Sequence, residues 1–324
     1  AHVIDIHATE NTNDGPILSF KVKIEGTSDI KLKDLPVNFD VVTQNNVDEM
    51  VEGMKLYMDG VSVASVNMTT DMVEDADGAA VGADETYIFH DIDTWLKAGQ
   101  TYHFVVKIDI FGITDTGDVA EGDTIAANFG ETQTELAGFD AEDSTGTNLI
   151  GADKTGTVTG DASAVRDTGI NVAFVSGTAT ISHAGDINNT LDHDQGTFTL
   201  TFDVTAFGAN MFIDGTKPDE GVAAATINRV TITGTDTYVD SNIRSSTGAT
   251  LTGTIDADAR YRVLEGQTQR FTITYVTAAG ADGLFQMSLA GISYAITDVT
   301  GAVLYNFNLD DYKTPSLNLN FDAA

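Results

Sequence analysis

The residues of this chain best suited to chemistry are carboxylates and amides gathered in turns. Asn11, Asn13 and Asp14 precede one strand-like segment, and Asp192, Asp194 and Gln195 precede another. A third group, Asp71, Glu74, Asp75, Asp77, Asp84 and Glu85, lies in the acidic stretch Thr70 to Glu85. Calcium takes roughly six to eight oxygen ligands in flexible geometry, which converging loop carboxylates and carbonyls supply. Asp71, Glu74, Asp75, Asp77, Asp84, Asp192 and Asp194 are therefore the candidate calcium ligands. Asp75-Ala76-Asp77-Gly78 is not an EF-hand loop, because the third acidic position and the later glutamate are missing. Asp and Asn also favour turns through their own backbone bonding, so plain turn chemistry stands beside the calcium reading.

Other chemistries find less support. The six histidines, His2, His7, His90, His103, His183 and His193, show no His-x-x-x-His spacing, and only His193 has an acidic setting, between Asp192 and Asp194. Neither a Gly-x-Ser-x-Gly elbow nor a phosphate loop ending in Lys-Ser or Lys-Thr occurs. Paired carboxylates for glycoside hydrolysis are uninformative in so acidic a chain. No enzymatic activity is expected. Trp95 is the one tryptophan, and its place just before the Gly99 turn reads as a core or rim plug rather than a sugar platform. The sequons Asn67-Met68-Thr69 and Asn188-Asn189-Thr190 permit glycans.

The elements that position these turns are strands, and they occur twice. Leu18 to Gly26 (LSFKVKIEG) returns as Leu200 to Gly208 (LTFDVTAFG), and Gly99 to Phe104 (GQTYHF) returns as Gly266 to Phe271 (GQTQRF), in the same order. The copies predict a tandem pair of domains, in a chain of 324 residues with room for about two. Leu18, Phe20, Val22 and Ile24 alternate with polar residues, as do Phe198, Leu200, Phe202 and Val204. Tyr102, Phe104, Val106, Ile108 and Ile110 repeat the pattern, as do Phe271, Ile273 and Tyr275, and later Val303, Tyr305, Phe307 and Leu309. Period-two alternation means one face buried and one wet, so the expected fold is all-β, two antiparallel β-sandwiches of the immunoglobulin-like or Greek-key type.

The expected domains are 1–162 and 163–324, with the small polar stretch Gly160 to Thr168 between them. The span from Phe20 to Phe104 exceeds that from Phe202 to Phe271 by about fifteen residues, which marks Thr70 to Glu85 as an insertion and an exposed rim loop.

Sixteen Lys and Arg against 49 Asp and Glu give a net charge of -33 and a pI near 4.1. Nucleic acid and anionic membrane surfaces repel such a chain, while calcium, cationic partners or high salt suit it. Zero cysteines exclude disulfides, thiol nucleophiles and Cys-ligated metals. No apolar run approaches the roughly 20 residues that span a bilayer. An opening on Ala1 rather than Met predicts a processed, exported chain.

LSFKVKIEGTSDIKLKDLPV, with VEGMKLYMDG and AGQTYHFVVKIDI, resembles the tandem β-sandwich modules of large prokaryotic cell-surface and surface-layer proteins. The second half repeats the likeness in GTFTLTFDVTAFG and EGQTQRFTITY. The resemblance implies secretion, self-association into a layer, filament or tube, and calcium dependence, with no catalytic residues to carry over. Copies of the chain are the expected partner. Edge strands offer the physical means, and the terminal segments, with Val3, Ile4, Ile6, Leu317, Leu319 and Phe321, are the candidates. Each has an apparent counterpart in the other half, at Ala179 to Ala184 and Thr155 to Thr159, which counts against a dedicated donor strand. The alternative is an adhesin or carbohydrate-binding module.

Overall fold

A computed structural model of the protein describes residues 3–5, 11–42, 47–67, 84–113, 119–130, 138–183, 194–220, 228–245, 250–252, 259–298, 303–306 and 311–321. It is an all-β protein, as the alternation predicts, whose helical elements among these residues are one turn at Val47–Met50 and a short 3-10 turn at Gly151–Asp153. The chain divides into two compact units, Ile4–Asp167 and Thr168–Ala324, with Ala1–Val3 counted in the second.

In the first unit a four-stranded sheet runs in the order Thr12–Lys23, Thr101–Ile110, Val51–Met58, Val61–Asn67. A larger sheet is built around Ile30–Val42, which pairs antiparallel with Thr124–Phe129, Asp84–Phe89, Thr94–Leu96 and Asp140–Asp143. The sheets face each other because each strand turns one apolar row inward. Phe20, Phe104, Val106 and Leu56 come from one side, and Phe39, Leu35, Ile125 and Phe129 from the other. The stacked rings of Phe20 and Phe129, 5.5 Å apart, join the two layers. The second unit repeats this plan. Its smaller sheet has the order Gly169–His183, Asp194–Phe207, Thr268–Ala279, Asp236–Ser245, and its larger sheet centres on Gly283–Ala295. Tyr261 and Phe271 meet edge to face at 5.6 Å across the layers.

The sequence repeat is a repeat of geometry. Phe20 lies opposite Phe104 with rings 5.5 Å apart, and Phe202 lies opposite Phe271 with rings 6.1 Å apart. The turns that lead into the second strand of each pair also match. Gly99 and Gly266 adopt φ of 75° and 70°, a conformation that favours glycine. Their N–H groups donate at 2.8 Å to Ile24 O and Ala206 O respectively. The residue before each glycine is held by an Asx side chain, Ala98 N–H by Asp29 Oδ1 and Glu265 N–H by Asn210 Oδ1, both at 3.0 Å.

Three expectations are corrected. Ser163–Arg166, in the stretch read as a linker, is a strand paired with Thr124–Phe129, because Ser163 and Val165 alternate into the core. Asp84 and Glu85, read as the end of a loop, open the strand Asp84–Phe89 opposite Asp40 and Phe39, and that strand buries Tyr87 and Phe89. Trp95, read as a core or rim plug, is 46% exposed, which rules out the core position. Leu96 is the inward residue of Thr94–Leu96, and period-two alternation then sends Trp95 outward.

Candidate functional site

Each four-stranded sheet ends in two outer strands, and these four differ in how they are protected against pairing with another chain. Thr12–Lys23 carries Asp14, Pro16, Lys21 and Lys23 and breaks register twice against its neighbour. Asp236–Ser245 carries Asp236, Asp240 and Arg244 and a bulge after Tyr238. Charges, proline and bulges are the usual devices that keep sheet edges apart. Val61–Asn67 has no charged residue but is only seven residues long. Gly169–His183 is fifteen residues long and contains no Asp, Glu, Lys, Arg or Pro. Among the described residues it pairs with Asp194–Phe207 alone. Phe174, Val175 and Ile181 on it are 42%, 38% and 41% exposed.

The two ends of this strand are not alike. Near its start the Tyr312 hydroxyl donates to Val172 O at 2.8 Å, and the Phe174 N–H bonds to the same hydroxyl. The Tyr312 and Phe174 rings meet edge to face at 5.8 Å. Burial pushes the Tyr312 phenol above its ordinary value, so the hydroxyl stays a donor. A bulge lies at Val175, and from Ser176 opposite Thr201 to His183 opposite Asp194 the pairing is unbroken.

Of the turn carboxylates and amides, Asn11, Asp14 and Asp194 are engaged by residues distant in sequence within their own units. Asn11 Nδ2–H donates to Glu52 Oε2 at 2.7 Å, and Asn11 Oδ1 accepts from Gly112 N–H at 3.3 Å. Asp14 lies 3.0 Å from Lys55 Nζ, and that hydrogen bond holds its carboxyl below the usual range. Asp194 is buried and accepts from Asn320 N–H at 3.0 Å, while its own N–H donates to Asn320 O at 3.1 Å. Of the other candidate calcium ligands, Asp84 stands at a strand start, and Asp71, Glu74, Asp75, Asp77 and Asp192 lie outside the described residues. Among the described residues no three His, Asp or Glu side chains form a group that could hold a metal.

Of the candidate assembly residues, Val3 and Ile4 belong to the strand Val3–Asp5 beside Ser163–Arg166, and Ile6 lies outside the described residues. Leu317 and Leu319 pair with Phe285 and Gly283 of their own unit, Leu319 being fully buried. Phe321 N–H donates to Asp282 Oδ1 at 2.6 Å. The edge at Ser176–His183 was not singled out by sequence reasoning. Its signal was there, in the run from Thr168 to Gly185 without an acidic, Lys or Arg residue.

A part-buried polar pair sits elsewhere in the second unit. Tyr275 O–H donates to Glu220 Oε2 at 3.2 Å, and burial, with Asp236 nearby, raises the Glu220 carboxyl above its usual value. Desolvation also raises Tyr275 far above an ordinary phenol. No described helix is long and apolar enough to cross a membrane.

No protein-family model matches the chain, and no curated protein matches it. Among solved structures it is similar to the C-terminal domain of the Streptococcus agalactiae AgI/II polypeptide BspA, at 10% identity and a TM-score of 0.21, over 99% of this chain and 96% of that one. The C-terminal domain of the Streptococcus pyogenes antigen I/II-family protein AspA is similar at 10% identity and a TM-score of 0.21, over 98% and 99%. A Bifidobacterium dentium β-glucuronidase gives 11% identity and a TM-score of 0.17, over 93% of this chain and 38% of that one. At TM-scores this low the functional reading rests on the geometry above alone.

Proposed function

We propose that this chain is a non-catalytic structural module of a cell-surface protein, and that it works by associating with copies of itself into a layer, filament or tube. The observation that carries the reading is the uncharged, fifteen-residue outer strand Gly169–His183. A net charge of -33 keeps copies apart in solution, so an association surface must be neutral or bridged by cations. Calcium at the acidic loops is the second half of the proposal, with Asp71, Glu74, Asp75, Asp77 and Asp192 as the oxygen donors.

Sedimentation and negative-stain microscopy of the full chain, over a range of concentrations, with calcium and with a chelator, test this. The expected result is association that grows with concentration and weakens on chelation. A chain that stays monomeric with and without calcium, at its highest soluble concentration, overturns the reading. Association that chelator leaves unchanged removes calcium from it.

The outward Trp95 favours a second reading, a carbohydrate-binding module or adhesin, because an exposed indole offers a flat face for a sugar ring. Glycan-array binding that Trp95→Ala abolishes would promote it.

A further inference from the structure

We infer that Ser176–His183 is a self-pairing edge: two copies of the chain lay this segment antiparallel against itself and so join two four-stranded sheets into one. The inference rests on the self-association proposed above and names its contact.

The backbone supplies the bonds. An outer strand satisfies only one side, so alternate residues point their N–H and C=O groups away from the sheet. In Gly169–His183 the first part of that outward row is closed, since the Tyr312 hydroxyl accepts from Phe174 N–H and donates to Val172 O. The bulge at Val175 then interrupts the row. Ser176–His183 is the remaining stretch, eight residues in unbroken register with Asp194–Thr201. It is also held in place: a Cβ added at Gly177 would come 2.6 Å from Lys313 O, so neighbouring backbone packs directly on this strand.

Charge selects the occupant. Residues 176–182, their neighbours Gln195–Thr201 and the next strand from Thr272 to Ala278 contain no Asp, Glu, Lys or Arg, and the buried Asp194 opposite His183 marks the end of this stretch. The neutral patch is thus about 24 Å long and about 14 Å wide by strand geometry, against a screening length of about 8 Å at physiological salt. Two chains of net charge -33 can meet there at low Coulomb cost. A cationic partner is drawn to the acidic loops instead and finds no counter-charge on this strand.

The side chains suit a copy. Thr178 and Thr180 face Thr199 and Thr197; the Thr178 row continues as Thr199 to Thr274 at 3.5 Å, and beside it the Ser176 row continues as Thr201 to Thr272 at 3.3 Å. Antiparallel self-pairing about a two-fold axis extends those threonine rows into the second sheet, with the same patch on both partners.

The test uses the full chain carrying Thr178→Asp with Thr180→Asp, the same pair of positions as Lys, and an equimolar mixture. Both threonines are at least partly exposed, so melting and circular dichroism should stay unchanged. Like charges placed opposite each other should weaken association about tenfold in either variant, and the mixture should restore it. Because the chain has no cysteine, Thr178→Cys, Thr180→Cys and Ser182→Cys give a second readout. Under mild oxidation one of them should yield a disulfide-linked dimer while Val61→Cys and Tyr238→Cys do not. Wild type that associates while neither charge variant weakens and no strand cysteine cross-links overturns this inference and leaves self-association standing. Cross-linking through Val61→Cys alone does the same. A monomeric wild type overturns both.

Discussion

Gly266 donates its N–H to the carbonyl of Ala206 at 2.8 Å, and Gly99 makes the same bond to Ile24 in the first unit at the same distance. One turn has thus been kept twice, with its positive φ, its Asx support and the paired phenylalanines beyond it.

Gly99→Ala and Gly266→Ala should each cost about 1 kcal/mol, the penalty of a left-handed conformation for an L side chain. Apart from the adjoining residues, no heavy atom lies within 4 Å of an added Cβ at either position, so backbone strain is the main effect. Gly177→Ala should cost more, since its Cβ would come 2.6 Å from Lys313 O. Urea unfolding of the three variants checks the ranking.

Phe202→Ala should destabilise the second unit by about 3–5 kcal/mol, the usual range for deleting a buried phenylalanine. Its ring is fully buried and stacks on Phe271. Phe202→Leu, which fills more of the space, should cost less. Equilibrium unfolding followed by near-UV circular dichroism separates the two.

Glu220 predicts a pH effect. Burial first, and Asp236 second, raise its folded-state value above the ordinary 4.5. The folded state therefore holds its proton more tightly than the unfolded state. Stability contributed by this group falls as pH rises from about the ordinary value through the raised one, and returns on acidification. Glu220→Gln keeps an acceptor for the Tyr275 hydroxyl and should flatten that part of the curve, with stability at neutral pH equal to or above wild type. Melting temperatures between pH 4 and 8 decide it, and an unchanged slope would sink the assignment.

Tyr312→Phe removes the hydroxyl that caps Val172 O and should cost about 1–3 kcal/mol, the range for a buried group left without its hydrogen bond. It also lengthens the open edge toward residue 172. Hydrogen exchange at Phe174 should speed up, whereas exchange at Phe202 should not.

The sequence alone determined the all-β class, the duplication and the inward rows. Phe20, Phe104, Phe202 and Phe271 could be read as buried and equivalent because strand periodicity and repeated order are local properties of the chain. Tertiary structure decided what depends on neighbours distant in sequence. Asp29 and Asn210 support the two turns from outside the repeated segments. Trp95 faces out because Leu96 faces in. Leu317 and Leu319 pair with Phe285 and Gly283 of their own unit. Above all, a strand's composition does not say whether it stands inside or at the margin of a sheet. Gly169–His183 reads as an ordinary uncharged strand until sheet order places it outermost among the described residues, where charge is one of the usual protections of an edge.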